Sequence, residues 1–334
     1  MSHTTSRTRA WLELMRISNL PTVVSTALAG GAIGAIAAGG HETMPWGIAA
    51  WSLAAPPLAY IGGMILNDAF DAAIDAAERP ARPIPSGRIA RAHASIAGGA
   101  CLALAVGAAA ATGSRDALLL AAILAAIVIL YDALHARSAF TVILLGASRA
   151  LACLVPMVAF ADHASDADGS HRELLWRTAA IALPAMLAAW TVGLSIAARG
   201  EARADRTAGV PSMRARMWQL RAIMVTPLLL AVMVNRVVLP AFDTQRMSDG
   251  DEGAWMRRLA ILGIGFLIGA TAARARGRMA VDPRLTPFAV GVWIACLPLL
   301  DAMVLVAFDA WWAAAVCAAC MPLTLLAQRR IAGS

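Results

Sequence analysis

The chain predicts an all-α fold, a polytopic bundle of nine to ten membrane-spanning helices around a central cavity, and three observations lead there. Of its 334 residues, 60% are hydrophobic and only 15% are charged, whereas soluble domains carry about a quarter charged. Apolar runs approaching the ~20 residues needed to cross a bilayer core recur along almost the whole sequence. Arginine is also unevenly placed. Twenty of the 28 basic residues, all arginine, fall at the two ends and in alternate loops, six fall on the other side, and Arg149 and Arg236 lie inside spans.

Ten hydrophobic segments lie near residues 17–38, 46–66, 92–112, 116–134, 139–160, 174–198, 219–241, 257–274, 286–308 and 310–328. The last two are separated by almost nothing, which leaves nine or ten spans. They form one membrane-embedded domain, 1–334, with pseudo-repeated halves near 17–160 and 174–328. Abundant Ala and Gly suit close helix contact in lipid, where the hydrophobic effect does not drive helices together. The arginine bias places both termini and the aspartate-rich loops in the cytoplasm, and the expected location is a bacterial inner (plasma) membrane. The net charge of +7 is a topology signal and does not argue for a nucleic-acid partner. Cys317 and Cys320 read as small buried helix residues, because no second cysteine pair or histidine accompanies them. No secretory signal peptide is evident. Trp46, Trp51, Trp176, Trp190, Trp255, Trp311 and Trp312 read mostly as interface anchors, and Phe70 as a packing or cavity-lining residue.

The second segment ends in Asn67-Asp68-Ala-Phe70-Asp71-Ala-Ala-Ile-Asp75. Asn67, Asp71 and Asp75 are spaced i, i+4, i+8 and form one helical stripe flanked by Asp68. Like charges at this spacing repel unless a cation is shared, and hard oxygen ligands of this kind suit Mg²⁺ held together with substrate phosphates. The loop after the sixth segment reads Arg199-Gly-Glu201-Ala-Arg203-Ala-Asp205-Arg206-Thr-Ala-Gly209. Glu201 and Asp205 repeat the i, i+4 spacing on the same predicted face, which places two carboxylate clusters around one polar cavity. Two such clusters can hold two or more Mg²⁺ ions that bind a diphosphate and neutralise it as it leaves. Arg79, Arg82, Arg88, Arg203 and Arg206 supply guanidinium forks suited to phosphate oxygens. Pro80, Pro83, Pro85 and Gly87 break the helix and predict an ordered loop.

These motifs resemble the UbiA superfamily of intramembrane prenyltransferases. Asn67-Asp68-x-x-Asp71-x-x-x-Asp75 with Arg82-Pro83 and Gly87 is similar to its first signature. Glu201-x-x-x-Asp205-Arg206-x-x-Gly209 is similar to its second, with Glu in place of the usual Asp. Arg16 and Asn19 before Pro21 resemble the family's approach to the first span, and Tyr131 its end of the fourth. His135 and Arg137 stand where a Lys-Arg pair is common. Ser195 to Ala202 and Gly146-Ala-Ser148-Arg149 are similar to a divergent, EboC-like branch.

The resemblance implies Mg²⁺-dependent transfer of a prenyl group from a prenyl diphosphate to a lipophilic or aromatic acceptor, inside a bundle open sideways to membrane lipid. It implies metal ligation by Asn67, Asp68, Asp71, Asp75, Glu201 and Asp205, with Asp68, Asp71 and Asp205 catalytic. Arg16, Asn19, Asn67, Arg82, Tyr131, Arg137, Arg149 and Arg206 would contact substrate. Arg149 lies mid-span, where an ionisable group costs at least ~2.5 kcal/mol on insertion scales and faces a cavity or a partner. Arg236 and Asp301, toward the other ends of their spans, are expected to pair with each other or reach solvent. The rival reading is a membrane carrier of the same fold that binds an isoprenoid or anion without transferring it.

Overall fold

The computed structural model describes residues 7–38, 46–135, 138, 141–162, 180–196, 253–282 and 285–331. Within them the chain forms helices α1 (Arg7–Leu14), α2 (Leu20–Ala37), α3 (Trp46–Phe70), α4 (Ala72–Glu78), α5 (Arg91–Ala111), α6 (Arg115–Leu134) and α7 (Thr141–Ala161). After these come α8 (Ala180–Ile196), α9 (Ala254–Val281), α10 (Thr286–Ala295), α11 (Leu297–Ala307) and α12 (Trp311–Arg330). A short 3-10 turn, Ile17–Asn19, leads into α2.

Eight helices among the described residues are long and apolar enough to cross a membrane. They coincide with eight of the ten segments. The sixth segment appears as the shorter apolar helix α8, and the seventh, 219–241, lies outside the described residues. The span from Thr286 to Ala307 is one segment broken at Cys296. Pro298 explains the break, since it has no N–H for the ladder and its ring crowds the preceding turn.

The near-contact of the last two segments resolves into two separate helices. Asp309 takes a left-handed backbone with φ 61. The Ala310 amide donates to Leu305 O at 3.0 Å and the Asp309 amide to Val306 O at 3.1 Å. This paired pattern ends a helix within two residues. It normally uses glycine, and aspartate is among the few side chains that tolerate the conformation.

Every residue of α11 is buried, so this helix is the axis of the bundle. Around it the helices approach through small residues. A Cβ on Gly30 would lie 2.1 Å from Cys153 O, and one on Gly34 would lie 2.2 Å from Met157 O. Four residues apart on α2 and on α7, these positions let two backbones touch, the small-xxx-small contact of helices in lipid. Trp190 is buried against α10, donating from Nε1 to Trp293 O at 3.1 Å, while Trp293 Nε1 donates to Ala272 O at 3.3 Å. Trp190 is therefore a core strut and not an interface anchor. Trp46, Trp51, Trp255, Trp311 and Trp312 are exposed, as expected. Cys317 and Cys320 are buried and free.

Gly34→Val should weaken the α2–α7 contact by about 1–3 kcal/mol, the range for overpacking. Gly99→Ala, where nothing lies within 4 Å, should leave stability unchanged or slightly raised. Thermal unfolding of the detergent-solubilised variants checks both.

Candidate functional site

The ordered turn after α4 builds one side of the site. Gly87 has φ +73, a conformation costly for other residues. Around it, Ser86 N bonds Arg82 O at 3.0 Å, Gly87 N bonds Ile84 O at 3.0 Å, and Ile89 N bonds Pro83 O at 3.1 Å. Arg88 fastens the turn outward, with Nη1 on Glu13 Oε2 at 3.0 Å and Nη2 on Ala81 O at 2.9 Å. Its guanidinium is thus a loop fastener.

Arg82 Nη1 donates to Asp75 Oδ2 at 2.7 Å and lies 3.4 Å from Asp68 Oδ1. Arg16 Nη2 reaches the same Asp68 oxygen at 3.4 Å. Asp71 instead meets His135, Nε2 to Oδ2 at 3.0 Å. This bond holds the imidazole above the ordinary histidine value against the opposing effect of burial. His135 stacks on Tyr131 with ring centroids 5.3 Å apart. Asn67 Nδ2 donates to Asp132 Oδ1 at 3.1 Å, while Asp132 Oδ2 is buried without a partner.

The expected single acidic stripe is therefore split into two pairs. At 3.6 residues per turn, Asp68 and Asp75 lie about 20° apart around the helix and Asn67 and Asp71 about 40° apart. The backbone ladder runs on through the break at Asp71, with Asp71 N to Asn67 O at 2.9 Å and Asp75 N to Asp71 O at 2.8 Å. Guanidiniums neutralise the first pair. The second faces α6, and there the sequence reading missed Asp132. Its signal was an acid at the end of a long apolar span, three residues before a histidine. Phe70, between the pairs, is 45% exposed.

Arg16 carries a left-handed backbone, φ 43 and ψ 48, a strain of about 1–2 kcal/mol for a residue with a Cβ. Its carbonyl accepts the Tyr60 hydroxyl at 3.1 Å, which holds the bend that turns its side chain to Asp68. Beneath lies a cavity of about 220 Å³ lined by Arg16, Asn19, Tyr60, Tyr131, Asp132 and Arg149 among apolar residues. Arg149 Nη2 donates to Thr22 O at 2.6 Å, and its Nε has no partner. Asp301 does not reach solvent. It is fully buried, accepting from Ser25 Oγ at 2.7 Å and Thr26 Oγ1 at 3.2 Å. Arg236, its expected partner, lies outside the described residues.

A second, larger cavity of about 1090 Å³ opens between α9, α10 and α12 and shares Asn19 and Ile294 with the first. Gln328 stands at that shared wall, donating to Asn19 Oδ1 at 2.8 Å and to Gly291 O at 3.2 Å. Nothing in the sequence pointed to this cavity.

Arg137, Glu201, Asp205 and Arg206 lie outside the described residues. Among the described residues no three acidic, histidine or cysteine side chains converge as a ready-made metal cluster, since each acidic pair is engaged by arginine, asparagine or histidine. The donor chemistry does fit a hard divalent cation: carboxylate and carboxamide oxygens, with the orphaned Oδ2 of Asp132 beside them.

Apolar spans, a cavity lined by Arg16, and carboxylate–guanidinium pairs that include the same Arg16 define an integral membrane protein. The UbiA prenyltransferase family model matches residues 23–244, and the chain belongs to that family. It is 36% identical over 127 residues to a digeranylgeranylglyceryl phosphate synthase of Methanopyrus kandleri, covering 37% of this chain and 43% of the relative. It is 41% identical over 105 residues to one of Ignicoccus hospitalis, covering 30% and 32%. The matches thus span less than half the length of these relatives. In fold it is similar to a UbiA homologue from Aeropyrum pernix, with TM-score 0.55 and 19% identity over 86% of this chain and 98% of the other. A structure described for digeranylgeranylglyceryl phosphate synthase in membranes gives TM-score 0.55 and 18% identity over 91% and 98%.

Asn67→Ala should leave Asp132 buried with neither oxygen bonded, a cost of about 1–3 kcal/mol. Adding Asp132→Ala to that variant should recover most of it. A double-mutant cycle on melting temperatures measures the coupling.

Proposed function

We propose that this protein is a Mg²⁺-dependent prenyltransferase that moves a prenyl group from a prenyl diphosphate to a lipophilic acceptor within the membrane. The observation that carries the reading is the cluster of Asp68 and Asp75 with Arg82 and Arg16, the last of which lines a cavity, in a chain of this family. The prenyl tail lies along the apolar wall and the diphosphate sits at the mouth. Both termini face the cytoplasm, and the membrane is a bacterial inner membrane.

Asn67, Asp68, Asp71 and Asp75, together with Glu201 and Asp205, would hold magnesium, which when bound would neutralise charge on the diphosphate. Arg82, Arg16, Arg206 and Arg137 would supply guanidinium donors to the diphosphate oxygens, where positive charge stabilises the departing group. The allylic C1–O bond breaks and diphosphate leaves with the electron pair. An acceptor lone pair or π-bond then forms the new bond to C1, and its proton passes to the released diphosphate. Tyr131 and the apolar wall keep water from the allylic cation while it lasts. Asn19 and Arg149 contact substrate from the wall of this cavity. The names of the matched relatives favour a lipid acceptor over an aromatic one.

Chelation of magnesium from the protein in nanodiscs should stop release of diphosphate from labelled geranylgeranyl diphosphate, and added Mg²⁺ should restore it. Asp71→Ala and Asp205→Ala should each lower transfer about 100-fold or more. Folded variants that keep full transfer sink the assignment. Donor binding with no diphosphate release, in the presence of lipid extract, supports the carrier instead.

A further inference from the structure

Asn67 and Asp132 meet where the last turns of α3 and α6 press together. A Cβ on Gly63, one turn before Asn67, would lie 2.8 Å from Cγ1 of Val128, one turn before Asp132. The glycine lets the two helices close to the separation at which Asn67 Nδ2 donates to Asp132 Oδ1 at 3.1 Å. Both residues are buried, Asn67 8% and Asp132 4% exposed. A carboxylate only accepts, whereas a carboxamide has one donating and one accepting end. The bond therefore takes the NH₂ end of Asn67 and leaves its oxygen. That oxygen makes no hydrogen bond and keeps accessible surface. The same turn of α6 fixes the other member of the pair, since His135 Nδ1 lies 3.1 Å from Asp132 O while its Nε2 meets Asp71. Packing alone gives no reason for a carboxylate here. Asp132 Oδ2 is buried with no partner, which costs stability, and a group kept at such a cost points to a function.

We propose that Asp132 is a positioning residue for the cation site. By holding the NH₂ end of Asn67 it fixes the carboxamide oxygen as the end presented for ligation. The proposal rests on the magnesium-dependent reading above. It adds a residue, on a different helix from the acidic motif, that acts through Asn67. Without an acceptor at this place the carboxamide is free to turn over, and its NH₂ end has no lone pair to offer a hard cation.

The test measures binding of Mn²⁺, a spectroscopic stand-in for Mg²⁺, by the full chain in phosphatidylcholine nanodiscs. Free Mn²⁺ is read by electron paramagnetic resonance, with a geranylgeranyl thiolodiphosphate present as unreactive donor, so no turnover is needed. Asp132→Asn keeps an acceptor of the same shape and removes the charge, and its affinity should stay within about threefold of wild type. Asp132→Leu removes the acceptor at similar volume and should lose about tenfold or more, the range for removing the partner that orients a metal ligand. Asn67→Ala/Asp132→Ala should bind no more weakly than Asn67→Ala, because the group that Asp132 positions is already gone. This last pair decides the matter if the Leu variant does not fold. An Asn variant as weak as the Leu variant would overturn the proposal, since Asp132 would then act by its charge or as a ligand itself. A folded Leu variant with wild-type affinity overturns it too, as does a further loss in the double variant, which would mean that Asp132 shapes the site in general. Absence of Mn²⁺ binding by the wild type sinks the magnesium reading and this proposal with it, whereas the other contrary outcomes sink the role of Asp132 alone.

Discussion

The guanidinium of Arg82 holds two carboxylates together at the end of a helix that has just left the bilayer core, and much of the described structure exists to keep it there. Asp68 and Asp75 sit nearly above one another on the helix and repel. One nitrogen of Arg82 meets both, at 3.4 and 2.7 Å. That nitrogen is delivered by a turn whose own shape depends on Gly87 and on the tie from Arg88 to Glu13. Glu13 belongs to α1, and the chain leaves α1 through the left-handed Arg16, whose side chain closes on Asp68 from the other side. The acidic end of α3 therefore organises the turn, the first helix and the start of α2 at once.

Such an arrangement needs a rigid base, and the membrane interior supplies it by packing alone. Helices in lipid gain no hydrophobic reward for meeting each other, so backbones in contact at Gly30 and Gly34 carry the load. The axis helix α11 is buried on every side and carries one charged residue, Asp301. Two hydroxyls from α2 reach one of its oxygens, and Arg149 from α7 lies on the same side of the bundle, tied to α2 through Thr22 O. Polar contact thus locks α2, α7 and α11 in register where apolar contact cannot distinguish one rotation from another.

Hydropathy is a one-dimensional signal, which is why the spans were legible: a helix in lipid must satisfy its backbone internally and run for its full thickness. The acidic motif was legible for a related reason, since spacing along one helix fixes its faces. What depended on contacts between distant segments was not. The stripe became two pairs because α6 brought Asp132 and His135 against one edge and the turn brought Arg82 against the other. Trp190 reads like any tryptophan near a span end until Trp293 is seen across from it. The tight turn at Asp309 hides for another reason, because it uses aspartate where glycine is the ordinary marker. Arg274, Arg278 and Arg329 follow the positive-inside pattern perfectly well, and only their convergence on a cavity sets them apart.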